Sequence, residues 1–226
     1  AKDSKEESVQ LDETAIKELM KLVGGNLNID KLGNGSTNAV MSEAFSKLTN
    51  RKSKGFRAPS FSLNNSSSWV IDTLEKNQYV YDSSVVPAKT NLYGIPDADN
   101  EPYKITSKNL KNNSKNGKIL EFPLLVTKFL GKKIPAGGGF YLRTLPSRVI
   151  ENAIKSYEKK EIPAIFYIHS WELTPEFMPK IQLSKKDHFI TFHNINKAYS
   201  KMENLLKKFE FTSFSKYIQE NKEKLY

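Results

Sequence analysis

Two polar clusters come directly after short apolar or β-branched runs: Arg57, leading into Ala58-Pro59-Ser60, and His169, leading into Ser170-Trp171-Glu172. In parallel α/β architectures the loops at the C-terminal strand ends form the mouth of the site, so a charged residue there is a candidate for chemistry. A histidine at such a mouth can give or take a proton near neutral pH, and Trp171 could supply an apolar wall beside it. The plainer alternatives are a surface arginine paired with a nearby carboxylate and a hydrogen-bonded rim histidine. A third cluster, Gly137, Gly138 and Gly139, lacks the lysine and helix arrangement of a phosphate-binding loop, so a tight turn is the simpler expectation. His188 and His193 are the only other histidines. Their spacing of five does not put them on one helical face, which disfavours a metal pair.

The elements that must position these residues change character along the chain. Asp12 as a cap, then Ile16, Leu19, Met20 and Val23 before Gly24-Gly25, predict one short amphipathic helix; Met41, Ala44, Phe45 and Leu48 predict a second. Residues 1–50 therefore read as an atypical helical N-terminal segment. From residue 54 onward, short runs alternate with helical stripes, as α/β folds require. Strands are expected at 55–58, 79–81 and 119–122, with a polar exposed loop at 104–118. A helix at 69–74 is offered caps by Ser66, Ser67 and Ser68. Pro146 opens a helix whose buried face is Val149, Ile150, Ala153, Ile154 and Tyr157. The apolar run 163–168 suits a central strand buried on both faces. Ile195, Ala198, Tyr199, Met202, Leu205, Leu206 and Phe209 predict a long helix capped by Asn194.

A chain of 226 residues with 38% hydrophobic content can bury one substantial core, so a single α/β unit is expected. Without cysteine there are no disulfides or thiolate metal sites, which fits a reducing compartment and makes the cytoplasm the expected location. No run approaches the eighteen or so apolar residues of a membrane span. The net charge of +10 raises the question of nucleic acid. The lysines are, however, spread over loops and exposed helix faces without an arginine cluster or a nucleic-acid motif, so a solvated basic surface is the expectation.

Several ordered strings resemble one family. GFRAPSFS at 55–62, WVIDTLEKNQYVYDSSVVP at 69–87, YGIP at 93–96, EFP at 121–123, GGGFYLR at 137–143 and AIFYIHSWEL at 164–173 look like polysaccharide deacetylases of the NodB-like class, in the subgroup found with exopolysaccharide biosynthesis loci. The segment DHFITFHNINKAYSKMENLLKKFEFTSF extends the likeness, which covers about three quarters of the chain. The resemblance implies that residues 51–226 form the C-terminal part of a (β/α) barrel, partial or distorted. It also implies hydrolysis of N-acetyl groups on amino-sugar polymers with a divalent metal, zinc in intact members, held by one Asp and two His. In that scheme Arg57 would orient a catalytic aspartate and His169 would protonate the leaving amine. Asp82 and Trp171 would shape the pocket or fix His169, and Glu172 would be a further substrate-binding residue. Gly137, Gly138 and Gly139 would let the backbone approach a sugar closely.

One departure bears on chemistry: the Asp-Asp motif and the His-x-x-x-His pair that carry the metal in this family are not in residues 1–50, and no histidine precedes His169. No metal site can be assembled from this sequence. Two functions are expected on this basis: a deacetylase completed by a metal-binding half, through a partner chain or homo-oligomer, or an inactive glycan-binding or regulatory module of the same fold. A nucleic-acid binder rests on charge alone.

Overall fold

The computed structural model describes residues 50, 52–90, 92–177 and 182–226. The two helices expected at 12–23 and 41–48, and with them the N-terminal segment, lie outside the described residues. The rest is a mixed α/β fold of small sheets and helices, and among the described residues the sheets do not close into a barrel.

The central sheet has four short strands in the order β1-β2-β4-β3: β1 Gly55–Phe56, β2 Tyr81–Asp82, β3 Tyr103–Ile105 and β4 Ile119–Glu121. β1, β2 and β4 run parallel, whereas β3 is antiparallel to β4. Between β1 and β2 lies α1 (Trp69–Lys76), which buries Val70, Ile71 and Leu74. Burial of such side chains contributes roughly 1.5–3 kcal/mol each. Trp69, at its first position, is exposed. Ser68 is the N-cap residue but makes no capping bond, because the serine hydroxyls are engaged in the preceding turn, where Ser67 Oγ accepts from the Asn64 N–H at 2.9 Å.

Three expectations need correction. Residues 104–118 do not begin as a loop, since Tyr103 and Ile105 are buried and pair with β4. The run 163–168 forms isolated parallel bridges, Leu124 with Ile165 and Tyr167 with Gly138, and no continuous strand. Of that run only Ile165 is buried, because it is paired only at those two places. Asn194 does not cap a long helix: its backbone is left-handed (φ 54°), a 3-10 turn Ile195–Lys197 comes next, and the α-helix starts at Ala198.

Beyond β4 a hairpin is made by β5 (Val126–Phe129) and β6 (Lys132–Pro135). α2 (Gly139–Thr144) and α3 (Ser147–Glu158) come after it, and α3 buries Ile150, Ala153, Ile154 and Tyr157 of its expected face, with Val149 half-buried. α4 (Ser170–Leu173) carries the Trp-Glu pair. α5 (Lys185–Phe192), α6 (Ala198–Lys208), α7 (Phe214–Glu220) and α8 (Lys222–Leu225) complete the chain. Among the described residues no helix is long and apolar enough to cross a membrane.

Candidate functional site

β1, β2, β4 and the bridged residues at 165–167 all run in one direction, so the residues at their C-terminal ends gather at one end of the sheet. Arg57 comes directly after β1, Ser83 and Ser84 directly after β2, and His169 two residues beyond the bridge at Tyr167.

Half-buried Arg57 donates from Nε to the Ser83 carbonyl at 2.6 Å and from Nη2 to Ser83 Oγ at 2.5 Å. Ser83 Oγ in turn donates to the Phe122 carbonyl at 2.7 Å, so the arginine is linked through Ser83 to the ends of β2 and β4. Its guanidinium carbon lies 4.8 Å from the Tyr167 ring centre and 5.6 Å from that of Phe61, within cation–π range. The ring of His169 meets the same Tyr167 edge to face at 4.7 Å and stacks on Trp171 at 5.7 Å. Arg57 and His169 thus contact one tyrosine. His169 itself is exposed. Phe61 and Tyr93, 5.3 Å apart, extend the aromatic wall.

Beneath Arg57 lies a pair of carboxyl groups that the sequence pattern did not single out as a pair. Asp82 and Glu121 are direct partners across β2 and β4, on the same face, and both are fully buried. Asp82 Oδ1 accepts from Ser84 Oγ at 2.7 Å, and that hydroxyl accepts the Ala58 N–H at 2.8 Å. Glu121 Oε1 accepts the Val85 N–H at 2.9 Å. The remaining oxygens, Asp82 Oδ2 and Glu121 Oε2, are buried without a hydrogen-bond partner among the described residues. Two carboxylates cannot both ionise in such a place, so one proton is shared. Burial raises both groups; Asp82 pushes Glu121 further up, while the hydrogen bond from Ser84 holds Asp82 back. The pair therefore holds a proton more tightly than free carboxyl groups would. Burial also pushes the Arg57 guanidinium down, opposed by Glu121 and Asp82.

Glu172 does not join the group around Tyr167. Its side chain is buried against Arg143, with Oε1 accepting from Arg143 Nε at 3.1 Å and Oε2 from the His169 backbone N–H at 3.0 Å. The glycines at 137–139 are closely packed at two of three positions. A Cβ on Gly137 would overlap the Ile165 carbonyl, and one on Gly139 the Glu172 carboxylate; only Gly138 has room. Asp82 is likewise sealed from solvent, whereas Trp171 stacks on His169. Sequence reasoning missed Glu121, Ser83, Ser84 and Arg143 as parts of this arrangement. The first three lie inside the strings YDSS and EFP, and the signal for them was their position at the ends of parallel strands.

Among the described residues no three His, Cys, Asp or Glu side chains converge as metal ligands, and His188 and His193 instead pack on Phe192 and Phe189. A cavity of about 290 Å³ lies at the start of the segment that ends in His169; it is lined by residues 162–166 and 209–214, and neither Arg57 nor His169 borders it. The groups gathered around Tyr167 can offer an exposed imidazole, a guanidinium with N–H donors beyond those already bonded and an aromatic wall.

A family described as "Domain of unknown function (DUF3473)" matches residues 83–219, a span that takes in Glu121, Arg143, His169, Trp171 and Glu172, begins directly after Asp82 and does not reach Arg57. No curated protein and no solved structure matches the chain.

Proposed function

We propose, for a chain that belongs to the family described as Domain of unknown function (DUF3473), that the cleft between Arg57 and His169 binds an N-acetylated amino-sugar polymer as part of a polysaccharide deacetylase-type barrel. The observation that carries this reading is the contact of both side chains with Tyr167, at 4.8 Å and 4.7 Å. It supports one ligand spanning a guanidinium and an imidazole. Aromatic faces suit sugar rings, and the free N–H donors of Arg57 suit an acetyl carbonyl. The motif likeness at 55–62, 69–87, 121–123 and 164–173 supports the substrate class.

Deacetylation breaks the amide C–N bond: water supplies a hydroxyl to the acetyl carbon, and the departing nitrogen takes up a proton. In this proposal His169, exposed at the cleft, gives that proton. Arg57 holds the carbonyl side of the acetyl group, and Trp171 keeps water from the sugar face. The zinc of intact deacetylases would activate the water. The described residues do not fit it: Asp82 and Glu121 are a fully buried cross-strand pair, and no further ligand converges with them. Hydrolysis therefore calls for ligands from outside the described residues, in this chain or in a partner. That same observation favours a second reading, a module that holds glycan without cleaving it.

The two readings separate in one experiment. The chain is incubated with an N-acetylglucosamine tetramer and zinc, and both binding and acetate release are monitored. Saturable binding that Arg57→Ala weakens about tenfold or more, as loss of a charged hydrogen bond should, is expected under both. Acetate release lost in His169→Ala selects the enzyme, and binding with no acetate selects the module. An absence of binding would overturn both.

A further inference from the structure

We infer that Arg143 and Glu172 are positioning residues for His169, and that they couple the cleft to the segment around residues 190–193. The inference rests on the proposed role of His169, although its geometry does not.

Glu172 is the hinge of the arrangement. One carboxylate oxygen takes the His169 backbone N–H and the other takes Arg143 Nε, both side chains being only 2–4% exposed. The ring of His169 packs on Tyr167 and Trp171, Trp171 sits on the same four-residue helix as Glu172, and His169 and Glu172 close a capping box at the start of that helix. The direction in which His169 leaves its backbone is therefore set by the bond to Glu172. A free carboxylate could not hold that place, because burying an unpaired charge is costly.

Arg143 supplies the pairing and uses the rest of its fork elsewhere. Nη1 donates to the His193 carbonyl at 2.8 Å and Nη2 to the Ile190 carbonyl at 3.0 Å. α5 buries none of its residues, so these two bonds are a principal tie between its C-terminal end and the body. The link is reinforced from the other side. Lys201 Nζ donates to the carbonyls of Leu142, Arg143 and Leu145 at 3.0, 3.3 and 2.8 Å, fixing the end of α2 from which Arg143 projects. Gly139 completes the arrangement, since any side chain there would displace the Glu172 carboxylate. Three planar contacts to three different groups are what a guanidinium can make and an ammonium cannot.

The test measures hydrogen exchange at the His169 amide, melting, and binding of the N-acetylglucosamine tetramer in the full chain. The variants are Arg143→Met, Arg143→Lys, Gly139→Ala and the double variant Arg143→Met with Glu172→Met. Loss of the bond to Glu172 is expected to speed His169 exchange about tenfold or more in Arg143→Met and Gly139→Ala. Arg143→Lys is expected to fall between them and the wild type. The double variant removes both charges, so melting should return toward wild type while His169 exchange stays fast and tetramer binding stays weak. A role in stability alone predicts that binding recovers with melting, and that result would overturn the inference; so would unchanged His169 exchange in any folded single variant. Failure of the wild type to bind tetramer would sink the glycan reading and leave the exchange data to decide the positioning of His169.

Discussion

Two buried ionic arrangements stand within the same fold and solve opposite problems. Asp82 and Glu121 bring like groups together in the sheet and can remain there only by retaining a proton. Arg143 and Glu172 bring unlike groups together under α4 and keep both charges, with backbone donors and acceptors filling the remaining positions. The first lies beneath Arg57 and the second behind His169. Each candidate residue is thus backed by a buried group that never meets solvent, and the difference lies in how its charge is balanced: by a proton in one case and by a counter-ion in the other.

That difference can be broken most sharply at the counter-ion. Arg143→Met leaves Glu172 buried and unpaired and is expected to cost about 3–5 kcal/mol in urea unfolding, whereas adding Glu172→Met should restore most of it. The proton-balanced pair should respond to pH instead. The folded state keeps a proton that an unfolded Glu121 releases near pH 4.3, about the ordinary carboxyl value. Stability attributable to the pair is accordingly full below that range and declines as pH rises toward the raised folded value, by up to about 1.4 kcal/mol per pH unit. Glu121→Gln, which offers Asp82 a permanent donor, should flatten this slope and be more stable than the wild type at pH 7. A steeper decline in the variant would contradict the shared proton. The smallest effect is expected at Ser83→Ala, which removes one bond to Arg57 and its tie to Phe122: about 1 kcal/mol of stability, with tetramer binding weakened a few-fold.

How much of this was legible in the sequence depends on whether the controlling contacts are local. The apolar stripe of α3 is set by residues three and four apart, and Ile150, Ala153, Ile154 and Tyr157 are buried as read. Arg57 and His169 were visible because each comes after a short apolar run. The β5–β6 hairpin was not visible: its two-residue turn puts Leu130 at φ 48° and Gly131 at φ 76°, and a leucine at the first left-handed position hides a turn that Asn-Gly would announce. The pairing of Asp82 with Glu121 depends on strand register across 39 residues of chain, and that of Arg143 with Glu172 on packing between two helices. Neither register nor packing leaves a spacing to read. The broken run 163–168 shows the same limit, because apolar composition alone does not say how much of a segment finds a partner.

The most direct test of the shared cleft is two-dimensional NMR of the full chain titrated with N-acetylglucosamine tetramer, and in parallel with the glucosamine tetramer that lacks acetyl groups. The account predicts saturable shifts at the Arg57 Nε–H, the Trp171 indole and the His169 ring that move together, and are larger for the acetylated ligand. Shifts confined to the cavity at residues 162–166 and 209–214, or an equal response to both tetramers, would contradict it.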